Sequence, residues 1–367
     1  MPYEVMPSIG RPAYGLVLGL LLGCQPRTSP SPDHTVVVFP PPPDQPRIQF
    51  LTRFSSSDDV VGAKRSFWEG LAGAERKRAD AIVKPYGVAL HRGRLYVCDT
   101  MLPGVDVFDL TTRAFRRFQP RGEGQLRKPI NCFVDDQTGH LYVTDTDRGQ
   151  VVEYDWDLHY VGAFGELEGA RPADVFVEGD RVWVADLAEG RVLVYDKATR
   201  RLLRSLPRET ADTTGALRQP TNLYVRDGFV YVSEFTDFRV KVFTTDGEYV
   251  RSVGVVGTGV GQFARPKGIA VDTAGILYVV DAAFENVQLF DPQGQLLMHF
   301  GGAYQGPGDM YLPAKVVVDY DDLDLFRPYV DPRFVLDHLI LVTNQYGPDK
   351  VSVYGFVRAR EGTDASP

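Results

Sequence analysis

Cysteine is scarce in this chain, with three in 367 residues at Cys24, Cys98 and Cys132. They form no CxxC, no CxxCH for haem and no Cys/His spacing for zinc, which excludes a redox CxxC site, a c-type haem protein and a zinc finger. Cys98 and Cys132, in predicted inner strands of neighbouring repeat units, read as small hydrophobes, with a disulfide between them as the alternative. Basic clusters are missing too. Against 48 acidic residues stand 40 basic ones, a net charge of −8, so the electrostatic footprint of nucleic-acid binding is absent. The short run "ERKRAD" is offset by acidic neighbours and reads as a solvated helix face. Long apolar runs are also lacking: the one ending at Gly23 is too short to span a bilayer as a helix. No GxSxG, HExxH, P-loop or GxGxxG setting occurs, so a catalytic triad has no nucleophile to start from.

What is present is a repeat, and a period of 20 to 50 residues decides the fold before anything else. Six units open with proline and a short apolar strand: "KPYGVAL", "KPINCFVD", "RPADVFV", "QPTNLYV", "RPKGIAVD" and "LPAKVVVD". Their prolines, Pro85, Pro129, Pro172, Pro220, Pro266 and Pro313, lie 44, 43, 48, 46 and 47 residues apart. A second strand follows in each ("LYVCD", "LYVTD", "VWVAD", "VYVSE", "LYVVD", "ILVTN"), then a third and a weaker fourth. Strands rich in Val, Tyr, Phe and Leu between Gly, Asp and Asn turns predict hairpin-linked antiparallel sheets. The first strand of each unit is nearly all apolar, while the outer two alternate and carry charge. That gradient suits a propeller blade, so the chain is predicted to be an all-β, six-bladed β-propeller of four-stranded repeats.

Ring closure is also readable. The sixth unit offers only a doubtful fourth strand, and ahead of the first lies an unclaimed "RIQFLTRF", Arg47 to Phe54. This N-terminal strand is expected to complete the sixth blade, because an open ring would expose two sheet edges. The stretch "GQFARPKGIAVDTAGILYVVDAAFENVQLFD" resembles the NHL repeat, and the order of six copies is similar to six-bladed NHL propellers. The likeness covers roughly residues 47–357; it implies architecture and leaves function open, since propellers serve both as binding platforms and as enzymes.

The N-terminus has the size of a signal-peptide core, and "LLGC" resembles a bacterial lipobox, in which Cys24 becomes lipidated. An ordinary secretory signal with a chance cysteine is the alternative. The expected organisation is a lipoprotein signal peptide at 1–23, a proline-rich tether at 24–46, the propeller at 47–357 and a flexible tail at 358–367. By resemblance to enterobacterial sorting, Gln25 after the cysteine implies the outer membrane of a bacterial cell envelope.

Departures from the repeat point to candidate sites. Two residues after each proline stand Gly87, Asn131, Asp174, Asn222, Gly268 and Lys315. Asn131, Asp174 and Asn222 are expected to converge at one channel mouth with Lys315 facing them across the axis. Oxygen ligands of this kind suit calcium or another divalent cation; a water-filled polar channel with no cofactor is the plainer reading. The set also resembles, loosely, the ligands of gluconolactonase-like hydrolases, but their Glu ligand has no match here. Carboxylates closing the second strands, Glu234 among them, form a second ring near the mouth; an Asp at a strand end also simply accepts hydrogen bonds from the following turn. Amidating lyases of this shape use channel histidines for zinc, whereas no histidine here falls at a predicted inner-strand position.

Two insertions break the regular scaffold, and such loops commonly carry function. The first spans residues 55–83 and presents Phe67 and Trp68. The second stretches Asp319 to Leu339 over 20 residues where Asp272 to Leu277 takes 5, and it holds Leu325, Phe326, Tyr329 and Phe334. Aromatics of this kind anchor interfaces; covering the propeller's own edges is the other use. The sequence therefore predicts a membrane-anchored scaffold for an envelope protein partner, with a channel-mouth hydrolase or lyase, or a small-ligand or glycan binder, as alternatives.

Overall fold

The computed structural model describes residues 36–62, 79–165, 169–208 and 213–360. Over these the chain forms six blades, each an antiparallel sheet; in blades 1 to 5 the four strands run in chain order from the axis outwards. Blade 1 illustrates the pattern: Pro85–His91, Arg94–Asp99, Val105–Asp109 and Ala114–Phe118. The innermost strands of blades 2 to 6 are Pro129–Val134, Pro172–Glu178, Pro220–Arg226, Pro266–Val271 and Pro313–Asp319. Each touches the next, and the sixth touches the first, so the ring is closed.

Closure follows the expected route. Ile48–Phe54 is the fourth strand of blade 6, paired with Val351–Ala359 in a register that sets Ile48 against Phe356 and Phe54 against Val351. One element was not expected. Val38–Phe39 adds a fifth strand outside it, so the part of the proposed tether from residue 36 onwards belongs to the propeller, and Ala359 extends the last strand into the proposed tail. Phe39 supplies the reason: its ring packs 6.1 Å from Phe300 of blade 5.

The core is divided among six apolar layers, one between each pair of neighbouring blades. Cys98 and Cys132 lie free and buried together in the layer between blades 1 and 2, as small hydrophobes. Outer strands such as Leu202–Leu206, which is exposed at its start and buried only at Leu206, are the most solvated, which is the burial gradient that the sequence shows.

Candidate functional site

In every blade the pairing of first and second strands slips just after the proline. A bulge re-aims the side chain that follows it, and here it acts on the residue two places on. Asp174 of blade 3 thereby meets Lys315 of blade 6, the blade directly opposite, with Oδ2 to Nζ at 2.6 Å. The same carboxylate oxygen accepts from Asn222 Nδ2 at 3.2 Å and from the Leu223 amide at 3.0 Å. Tyr86 of blade 1 donates to Asn222 Oδ1 of blade 4, again across the axis, at 3.4 Å. Asn131 stands apart from this set: its Nδ2 donates to the Ala173 carbonyl at 2.9 Å, and its buried Oδ1 has no hydrogen-bond partner.

These contacts make a polar plug across the channel near its proline end. A hard cation needs several oxygen ligands. Here Asp174 is the one carboxylate, its Oδ2 already holds the Lys315 ammonium, and among the described residues no three His, Cys, Asp or Glu side chains gather as a metal set. The donor set therefore does not fit a divalent metal. Glycine at the remaining positions is a matter of space. A Cβ on Gly87 would sit 2.5 Å from Asn131 Cα, and one on Gly268 2.5 Å from Lys315 Cα. Gly268→Ala is accordingly expected to cost about 1–3 kcal/mol through overpacking, read by urea unfolding.

Glu234 is not at the mouth. Its carboxylate is buried and accepts from the backbone amides of Arg218, Gln219 and Thr236 and from the Thr236 hydroxyl. Asp99, Asp145, Asp186 and Asp281 do the same in their own blades. Each pins the loop entering its blade to the turn leaving the second strand. This is the structural role of a strand-end carboxylate, and it excludes Glu234 from the site.

Beyond the plug, towards the hairpins that join first and second strands, lies a blind cavity of about 220 Å³. It runs from Lys315 at its inner end to Asp319, Tyr320 and Asp321 at its mouth. Four residues after the prolines stand Ala89, Phe133, Phe176, Tyr224, Ala270 and Val317. Blades 2, 3 and 4 thus carry aromatics, with ring centroids 4.5 Å apart for Phe133 and Phe176 and 4.6 Å for Phe176 and Tyr224. Blades 1, 5 and 6 carry small residues, and the cavity occupies the space they leave. This arc is plain in the repeat alignment, yet aromatic residues in strands are ordinarily core, so periodicity alone does not mark it.

The mouth is acidic on both sides, with Asp136 of blade 2 beside the arc and Asp319 and Asp321 of blade 6 opposite it. Asp319 Oδ1 accepts from the Asp322 amide at 2.9 Å, and burial, helped by the carboxylates of Asp322 and Asp321, pushes its carboxyl up to about 7. Burial likewise raises Asp136 and Glu178 at the same end. A raised carboxyl stays protonated in the folded state after it ionises in the unfolded one. Asp319 is therefore expected to cost stability progressively as pH rises from the ordinary 3.8 to about 7. Asp319→Asn should flatten that slope in urea titrations at successive pH values. At the plug, burial lowers Lys267 to about 7 although its Nζ donates to Gln345 Oε1 at 3.0 Å; sequence reading passed over it because a lone Lys beside proline carries no pattern.

The second insert does not display its aromatics. Phe326 is 2% and Phe334 8% exposed, and Leu325 is half-buried against the layer between blades 6 and 1. Phe326 meets Phe54 edge-on at 6.5 Å. Gln49 clasps the insert, donating to the Tyr329 carbonyl at 2.9 Å and accepting from the Asp331 amide at 3.0 Å. Of the four expected partner-facing residues of this insert only Tyr329 is exposed: the apolar edge left where the ring closes takes Leu325 and Phe326, and Phe334 is buried where it pairs with Ala359. Phe67, Trp68 and Cys24 lie outside the described residues.

Fold and site together define a six-bladed β-propeller with a plugged axis and a one-sided pocket. A family described as "6-bladed beta-propeller" matches residues 178–300. Over 94 residues the chain is 30% identical to protein brain tumor of Drosophila melanogaster, which is 26% of this chain and 9% of that protein. Among solved structures it is similar to a protein of Bacteroides thetaiotaomicron, with TM-score 0.56, 16% identity and coverage of 76% of this chain and 70% of that one. Similar too is a streptogramin B lyase, with TM-score 0.51, 12% identity and coverage of 74% and 83%. Virginiamycin B lyase of Staphylococcus aureus gives TM-score 0.51 at 10% identity over 74% and 95%. At such identities the likeness is one of fold.

Proposed function

We propose that this NHL-type propeller is an envelope binding protein that captures a small ligand in the axial pocket at its hairpin face. The observation that carries this is the division of the pocket wall into an aromatic arc on blades 2 to 4 and an aliphatic side on blades 5, 6 and 1, with carboxylates at the mouth from blades 2 and 6. Structural need alone makes the six blades alike at a given position, and here they are split in half. Convergent polar groups in a mostly apolar hollow are what ligand sites share. Titration with a library of ring-sized compounds, followed by nuclear magnetic resonance, tests it. Binders should shift resonances of Phe133, Phe176 and Tyr224 and lose affinity in Phe176→Ala; shifts confined elsewhere would remove the pocket from consideration.

A second reading, protein display from the opposite face, is favoured by one observation. Met101, Tyr311, Tyr346, Val256 and Val260 are 64, 48, 46, 60 and 73% exposed on the loops of the proline face, and exposed apolar groups gathered on one face mark interaction surfaces. Cross-linking in native membranes should then map to Val256 and Val260 and fail in Val260→Asp. We further propose that Cys24 anchors the protein at a membrane. Cys24→Ser is expected to move it from the membrane to the soluble fraction on cell fractionation; unchanged partitioning would refute the anchor.

A further inference from the structure

We infer that the axial pocket takes a small organic cation, an ammonium group on an apolar or aryl body, with the body against the aromatic arc and the ammonium directed at Asp319. This rests on the pocket being the ligand site. The inference comes from how the two walls are placed. Phe176 belongs to blade 3 and Asp319 to blade 6, so ring and carboxylate face each other across the axis. A ligand filling the cavity must touch both.

Size limits the body. A cavity of about 150 Å³ admits one benzene ring, and this one, at about 220 Å³, leaves room for a ring with a short side chain. Charge then selects the class. The mouth is lined by Asp319 and Asp321 from blade 6 and its insert and by Asp136 from blade 2, with Glu178 of blade 3 in the neighbouring hollow that shares Asp136. Facing them are His91 of blade 1, which lies 3.4 Å from Asp136, and Arg226 of blade 4, which keeps its charge: its Nη1 donates to the Val271 carbonyl at 3.2 Å and its Nε lies 3.7 Å from the exposed Asp227. Lys315 is neutralised by Asp174 at the inner end. Acids at the mouth outnumber this one guanidinium, and the raised carboxyls there are groups that a bound cation would relieve.

A sugar fits less well. The hydroxyl of Tyr320 already accepts from the Thr273 amide at 3.0 Å and pairs with its hydroxyl, and the side facing the arc is aliphatic, lined by Val88, Leu90, Ile269 and Val317. The arc instead takes an apolar or aryl body, since aromatic pairs tolerate tilted and edge-on contacts. Ionised Asp319 binds the ammonium and protonated Asp319 does not, so affinity should rise as pH passes upward through about 7.

The test is calorimetric titration of the full chain with phenethylammonium, its neutral counterpart 2-phenylethanol, and phenylacetate, from pH 5.5 to 8. Phenethylammonium should bind best, and Asp319→Asn should weaken it about 10- to 100-fold, the range of a charge-assisted contact, and abolish the pH dependence. Asp321→Asn, an exposed change at the same mouth, gives a second and milder reading should Asp319→Asn fail to fold. Equal binding of the alcohol, or preference for phenylacetate, with Phe176→Ala still abolishing it, overturns the cation and keeps the pocket. If none of the three compounds binds, both the cation and the pocket reading fall.

Discussion

A chain beginning at Ser55 is expected not to form a stable monomer, whereas one beginning at Val36 should unfold like the full protein. The difference is the strand Ile48–Phe54. Its Ile48, Leu51 and Phe54 are buried in the layers on both sides of blade 6, and losing three such side chains costs about 2–5 kcal/mol each. That sum reaches the whole stability of an ordinary domain, about 5–15 kcal/mol. The third strand of blade 6, Val351–Ala359, would also be left as an open edge, which invites association. Size-exclusion chromatography and thermal unfolding of the two truncated chains make the comparison. A synthetic peptide of residues 36–54 should restore the shorter chain by strand addition, because it supplies the ladder and the three buried side chains. A stable, monomeric chain starting at Ser55 would show that the ring holds without its closing strand.

The proline-led units and the closing strand are legible in the sequence because they depend on local periodicity and on the count of strands needed to leave no edge. The polar series two residues after the prolines is legible for the same reason, and units 3 and 6 of six must face each other, which brings Asp174 to Lys315. Two things depend on tertiary packing and leave no periodic trace. The short helix Leu323–Phe326 looks like a display of aromatics until Phe54 and the edge between blades 6 and 1 take up Phe326. The pocket is hidden for the opposite reason: Phe133, Phe176 and Tyr224 look like ordinary strand aromatics, and only the small residues of the facing blades make them a wall. Glu234 shows that position in a repeat is ambiguous, since the same strand end can border a channel or hold a turn, and hydrogen bonding decides.

Lys315→Met is expected to cost about 3–5 kcal/mol, because it strands the fully buried Asp174 carboxylate without its cation. Asp174→Asn should be costly for the converse reason, leaving the Lys315 ammonium buried, although the side chain can still accept from the Leu223 amide. Together the two changes should cost clearly less than their sum. A buried ion pair replaced as a unit is often near neutral, since two desolvation penalties vanish along with the attraction. Urea unfolding of the wild type, both single variants and the double variant gives the coupling directly. Strong coupling means that the pair acts as one clamp between blades 3 and 6; strict additivity would mean that the 2.6 Å contact contributes nothing as a pair. The double variant also separates plug from pocket. It leaves Phe133, Phe176, Tyr224 and Asp319 in place, so if the plug serves only as a floor, a cation bound at the mouth should retain most of its affinity while the stability of the ring changes beneath it.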